Sequence, residues 1–161
     1  MDAIDRAVMN VRLFHLGMAA RTAEPSMRLV VLTCMDARID PAALLGLRPG
    51  DAHVIRNAGG RASPGAIAAV AISQALLGTR EVMVLHHTDC AMGRMRPEEL
   101  AARIEAATGR PFDQELDTFA AADAAVVEDM DRLRASTALA HTDHIRGFIY
   151  DLAANAVTEV R

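Results

Sequence analysis

Tryptophan and lysine are absent from this chain, cysteine occurs twice, and aromatic residues make up 3% of it. With no lysine, all 17 basic residues are arginine, a bias that codon use in a GC-rich genome explains without any functional role. Two cysteines are too few for a disulfide framework. In a chain that is not exported they suggest a reducing cytoplasm, where thiols bind metal or do chemistry. No apolar run approaches the length of a membrane span, and Asp2, Asp5 and Arg6 precede any apolar stretch, so neither a targeting segment nor a membrane partner is expected. The net charge of −4 argues against nucleic acid or an anionic surface as the main partner. The scarcity of aromatics means that any pocket is lined mainly by aliphatic side chains and backbone. What remains is 52% hydrophobic and 24% charged over 161 residues, the composition of one globular domain, 1–161, with a real core.

Hydrophobic patterning alternates between helices and strands, with no internal repeat or linker. Residues 1–20 read as a helix with Ile4, Val8 and Val11 at helical spacing. Strands are expected at Arg28 to Thr33, Ala52 to Arg56, Glu81 to His86 and Gly147 to Leu152, and Val157 to Val160 adds a candidate edge. A short helix starts near Pro41 and stops by Gly46. Ser63 caps a helix that begins at Pro64 and is closed by Gly78. Its body, Ala66 through Leu77, is apolar nearly all round, the pattern of a helix covered on every side, as at a subunit interface. Further helices are expected from Pro97 to Gly109 and from Thr118 to Ala135, the second with Phe119, Ala122, Val126, Met130 and Leu133 on one stripe. The fold class is therefore α/β, a mostly parallel central sheet flanked by helices. Ligands in such sheets bind beyond the carboxyl ends of the strands, where the strand order reverses. If the second and third strands lie on opposite sides of the first, that point falls between Cys34 and His87/Cys90.

Both cysteines sit at such strand ends, in Cys34-Met35-Asp36-Ala37-Arg38 and His87-Thr88-Asp89-Cys90. Two thiolates and an imidazole are the usual protein ligands of a zinc ion that keeps its fourth position open. The His-x-x-Cys spacing lets a strand-end loop turn back onto one metal. A strand alternates faces, so His86 and His87 point apart, and His86 is read as a hydrogen-bonded core or interface histidine. Cys34, Asp36 and Arg38, at i, i+2 and i+4, share one side if the segment is extended. A Cys34–Cys90 disulfide is the other reading of the two thiols, and it leaves the neighbouring histidine and carboxylate without a role. His53, His141 and His144 are candidate proton shuttles by residue type only, a solvated or core role being the simpler reading.

The Cys-x-Asp-x-Arg and His-x-x-Cys pair resembles the signature of the β-class carbonic anhydrases. The resemblance runs through Val54-Ile55-Arg56-Asn57-Ala58-Gly59, Ala71-Ile72-Ser73, Leu77-Gly78-Thr79, His86-His87-Thr88-Asp89-Cys90 and Arg146-Gly147, covering about residues 28–152. It implies one zinc held by Cys34, His87 and Cys90, with Asp36 and Arg38 as the paired residues beside it. It further implies a carbon–oxygen lyase that hydrates carbon dioxide to bicarbonate through zinc-bound hydroxide, in a homodimer or dimer of dimers. Zinc lowers the pKa of bound water, less so when two thiolates cancel its charge. Asp36 can accept a hydrogen bond from the bound oxygen while Arg38 holds it ionised and off the metal. If that pair breaks, Asp36 itself becomes the fourth metal ligand, a closed state of the resembling family.

Two departures are visible: Ala91 replaces a glycine common after the last ligand, and the missing tryptophan makes a Trp-dependent bicarbonate effector site doubtful. Other chemistries fit less well. Arg38 is too near Cys34 for a cysteine phosphatase loop, and Gly59 to Gly65 has the wrong spacing for a dinucleotide fingerprint. A carbonyl sulfide or carbon disulfide hydrolase on the same zinc site remains open. So does a zinc-binding homologue without catalysis that serves as an interaction module, although such a module needs neither Asp36 nor Arg38.

Overall fold

The structure is a computed structural model that describes residues 3–11 and 22–161. Helix α1 (Ala3–Val11) opens the chain, and the remainder of the helix expected over 1–20 lies outside the described residues. Five strands follow, β1 (Leu29–Cys34), β2 (Ala52–Asn57), β3 (Glu81–His87), β4 (Ile145–Asp151) and β5 (Ala156–Val160). They form one sheet in the order β2-β1-β3-β4-β5. The first four are parallel, and β5 returns antiparallel beside β4. The strand order therefore reverses at β1, whose chain continues to β2 on one side while β3 lies on the other.

The intervening helices are α2 (Pro41–Leu45), α3 (Pro64–Leu77), α4 (Pro97–Thr108) and α5 (Ala122–Ala135). Their ends follow local chemistry. The Asp40 carboxylate accepts from the Ala42 and Ala43 amides, and Ser63 Oγ accepts from the Ala66 amide with Pro64 at the first helical position. Helices α2, α3 and α4 each end at a glycine in the left-handed region.

The core forms where α3 and α5 meet one face of the sheet. Val30 and Leu32 of β1 and Val82 and Val84 of β3 pack with Ala66 and Val70 of α3 and Val126, Met130 and Leu133 of α5. Burying a side chain such as Val70 contributes roughly 1.5–3 kcal/mol. Helix α5 comes close enough to β4 that a Cβ on Gly147 would lie 2.3 Å from Val126 Cγ1, so only glycine fits there. Among the described residues no helix is long and apolar enough to cross a membrane.

Three points change or add to the expectations. Helix α5 starts at Ala122 rather than Thr118, because the Phe119 amide is drawn away to the Met92 carbonyl (3.2 Å) and its ring lodges beside His86. Phe119 is therefore not on the α5 stripe. Helix α3 buries Ala66, Val70, Ser73 and Gln74 but leaves Ile72 and Leu76 55% and 74% exposed, so this chain covers it on one side only. Its buried polar groups are satisfied: Ser73 Oγ meets His53 Nδ1 and Thr79 Oγ1, and Gln74 bridges the backbone of His141. Third, the chain after Cys34 is a turn and not an extended segment, since the Arg38 amide donates to Asp36 Oδ1 at 2.9 Å.

Candidate metal centre

The carboxyl ends of β1 and β3 bring three ligand atoms together. Cys34 ends β1, His87 ends β3, and Cys90 returns after a turn in which Asp89 takes a left-handed φ of 62°. The sulfur atoms of Cys34 and Cys90 and one ring nitrogen of His87 all lie within 4.8 Å of one another, and all three residues are buried. The sulfurs are 3.9 Å apart and both cysteines are free, so the disulfide reading does not describe this structure.

The details suit a cation. His87 Nδ1 donates to the Thr88 carbonyl at 2.8 Å, which fixes the tautomer and leaves the Nε2 lone pair directed at the thiols. That Nε2 is buried without a hydrogen-bond partner, a condition a bound metal would relieve. The thiols share one hydrogen bond. It pulls Cys34 down against burial, and the same contact and burial push Cys90 up. One proton therefore leaves readily and the second is held, until a cation takes its place. Amides of Asp36 and Gly59 face the Cys34 sulfur, and those of Met92 and Gly93 face Cys90.

Asp36 and Arg38 sit beside this group as a two-pronged pair, Nε to Oδ1 at 3.0 Å and Nη2 to Oδ2 at 2.7 Å. Hydrogen bonds from the Arg38 side chain and amide hold the Asp36 carboxyl well below the ordinary carboxylate range. The carboxylate is turned to Arg38, and its Oδ2 is 3.9 Å from His87 Nε2.

Supports that spacing alone did not reveal surround the ligands. Arg56 donates to the Cys34 carbonyl (3.0 Å) and the Asp36 carbonyl (2.8 Å), clamping the loop between them. Asn57 accepts from the Met35 amide through its carbonyl and closes the next turn by bonding Arg61 at both amide and carbonyl. Gly60 has a φ of 72°, and a Cβ there would lie 2.9 Å from the Cys34 nitrogen. The stretch Arg56 to Gly60 carried these roles in plain view, but its residue types have no metal chemistry to signal them.

The remaining histidines among the described residues lie elsewhere. His86 points to the opposite side as expected, its Nε2 3.0 Å from Asp129 Oδ2 at ion-pair distance but without hydrogen-bond alignment. His53 spends both ring nitrogens, on Ser73 and on the Ala23 carbonyl; the backbone of His141 bonds the Gln74 side chain of α3, and the His144 carbonyl accepts from the Val82 amide of β3. None of these three stands at the ligand cluster.

The family pattern described as carbonic anhydrase matches residues 29–157. The chain belongs to the β-carbonic anhydrase family. It is 37% identical to β-carbonic anhydrase 1 of Mycobacterium bovis over 136 residues, covering 84% of this chain and 83% of that protein. The crystal structure of carbonic anhydrase from Streptococcus mutans superposes with a TM-score of 0.92 at 35% identity, covering 100% of this chain and 99% of that one. A carbon disulfide hydrolase of Acidianus is 42% identical over 90 residues, 56% of this chain and 44% of the hydrolase. Membership makes this β-carbonic anhydrase relative an enzyme of the class expected from its motifs, with a mostly parallel sheet of the same kind.

Proposed function

We propose that this enzyme catalyses the reversible hydration of carbon dioxide to bicarbonate and a proton, with one zinc per chain held by Cys34 Sγ, His87 Nε2 and Cys90 Sγ. The observation that carries the reading is the unpartnered, buried His87 Nε2 facing two free sulfurs, beside a carboxylate already held by arginine. Zinc in such a site supplies a Lewis acid that makes bound water acidic enough to act as a nucleophile near neutral pH. The protein's own part is orientation. His87 is locked in one tautomer by Thr88. Asp36, kept anionic by Arg38, serves as a hydrogen-bond acceptor at the edge of the ligand cluster and aims the reacting water. Arg38 keeps Asp36 from becoming the fourth ligand itself, which would close the site. Free thiols in the cluster support a reducing, cytoplasmic setting.

Identity over nearly whole chains supports carbon dioxide over sulfur analogues: 37% across 83% of the mycobacterial carbonic anhydrase and 35% across 99% of the streptococcal one, against 26% across 86% of a solved carbon disulfide hydrolase. Stopped-flow hydration of carbon dioxide by the zinc-loaded protein across pH, run beside carbonyl sulfide and carbon disulfide assays, tests this. Activity confined to the sulfur compounds would change the substrate, and no activity on any would leave a zinc-binding interaction module.

The working unit we propose is a homodimer, or a dimer of dimers, of a single domain spanning 1–161. The exposed apolar side chains Ile72 and Leu76 on α3 and Ile4 and Val8 on α1 support it. Ile72→Asp should weaken assembly in sedimentation, whereas Val70, fully buried in the core, reports folding instead.

A further inference from the structure

Arg38 is gripped from two sides. Its guanidinium presents five N–H donors in a rigid plane. One edge chelates Asp36, as described above. The other meets Asp89: Nη1 donates to Asp89 Oδ2 at 2.8 Å, and Nη2 donates to the Asp89 carbonyl at 3.0 Å. The left-handed conformation of Asp89 is what turns its carboxylate and carbonyl toward Arg38 while the chain carries Cys90 back to the sulfur cluster. Asp89 Oδ1 is in turn ion-paired to Arg94, so the charges alternate along Asp36, Arg38, Asp89 and Arg94. The turn itself is fixed. The Thr88 amide donates to the Tyr150 carbonyl, and Thr88 Oγ1 accepts from the Leu152 amide.

The Arg38 side chain is 48% exposed. Held by Asp36 alone, it would swing with that carboxylate wherever the carboxylate went. We infer that Asp89 is a positioning residue that anchors the outer edge of the Arg38 guanidinium, so that its inner edge keeps Asp36 turned away from the Cys34–His87–Cys90 cluster. This inference rests on the reading of that cluster as a metal site. Asp89 is not among the three ligand residues of the cluster, and it acts through Arg38.

Cobalt(II) substitution gives a readout that a structural role would not move, because visible absorption of the ion reports its ligands. Asp89→Gly keeps the left-handed backbone available and deletes the side chain, and Asp89→Asn keeps the shape and removes the charge. At fixed pH and one cobalt per chain, the Asp89→Gly spectrum should move to that of Arg38→Ala, with Asp89→Asn part-way. Adding Asp36→Asn to Asp89→Gly should abolish the shift. Carbon dioxide hydration by the zinc protein should fall about 10- to 100-fold in Asp89→Gly, with no further loss when it is combined with Arg38→Ala. Parental spectra in both Asp89 variants, or no spectral change in Arg38→Ala, would overturn the inference. A parent chain that binds no cobalt would overturn the metal reading, and this inference with it. A cobalt-binding parent with unmoved Asp89 variants would overturn the Asp89 role alone.

Discussion

His86 and His87 are neighbours in sequence, both about 1% exposed, and they live in opposite electrostatic worlds. His87 faces two thiols, with the Asp36 carboxylate 3.9 Å from its Nε2. His86 faces Asp129, which is itself fully buried and matched by Arg61 Nη1 at 3.2 Å and by the Ala62 amide at 2.9 Å. Arg61 reaches on to Glu128 at 2.6 Å and Asp117 at 3.2 Å, and Phe119 lies against both the His86 ring and the guanidinium. One cluster holds buried charges of both signs in contact, and the other gathers two thiols and an imidazole nitrogen with the Asp36–Arg38 pair at its edge. Burial of polar groups is thus no mark of function by itself. Both His86 nitrogens and Asp129 Oδ2 are, like His87 Nε2, buried without a hydrogen-bond partner, so the informative sign is the convergence of metal-ligand atoms of the right type.

The sharpest way to break this contrast is to delete a ligand. Cys34→Ser, Cys90→Ser and His87→Ala should each lose zinc, measured by elemental analysis, with hydration falling to background. Full occupancy in all three would erase the distinction between the clusters. On the other side, Arg61→Ala strands Asp129 without its cation and should cost about 3–5 kcal/mol of unfolding free energy, while the folded fraction still binds one zinc.

Asp36→Asn probes the boundary of the metal cluster. It should keep zinc and lose about a hundredfold in hydration rate, the usual scale for a misplaced proton acceptor. A parental rate in that variant would remove Asp36 from the mechanism.

Acid should act on the compensated cluster. Asp117 is lowered despite opposing burial by Arg132 and Arg61, and Glu128 is lowered by Arg61 first. Carboxyls with depressed folded values add stability above their unfolded pKa of about 4, and that stability is lost as pH falls through the folded values. Thermal unfolding followed from pH 7 down to 3 should show the loss in the parent and a smaller one in Asp117→Asn. Glu128 is half exposed, so salt should weaken its share.

The smallest effect is expected at His53. Its Ala variant should lose about 1 kcal/mol with the Ser73 hydrogen bond and hydrate carbon dioxide at the parental rate. Slower proton release in that variant would return it to the list of shuttles.

Much of this arrangement was legible in the sequence because its signals are local. The Val-rich runs of β1 and β3, the Ser63-Pro64 start and Gly78 stop of α3, and the split between His86 and His87 all follow from period and cap chemistry. The ligands were legible because cysteine is so scarce: one copy falls two residues before Asp36 and four before Arg38, and the other falls three after His87. The Arg61–Asp129 pair was not, since its members stand 68 residues apart in the numbering and only the α5 docking joins them. For the same reason the start of α5 was misjudged: Phe119 fits a helical stripe by spacing, but tertiary contacts with Met92 and His86 take it away. Asp89 lay inside a motif already singled out, and only the turn geometry shows that its carboxylate faces Arg38.

The turn that carries Cys90 is tied through Thr88 to the end of β4, and the turn that carries Asp36 is tied through Arg56 to β2. Neither tie involves the metal. The ligand cage is thus built by the sheet before any ion arrives, and little of the ion's binding energy is spent on ordering the chain. Loading and stripping become exchange reactions at a standing template: a chelator should yield a folded empty protein that refills on adding zinc, unlike small zinc modules whose chain collapses when the metal leaves.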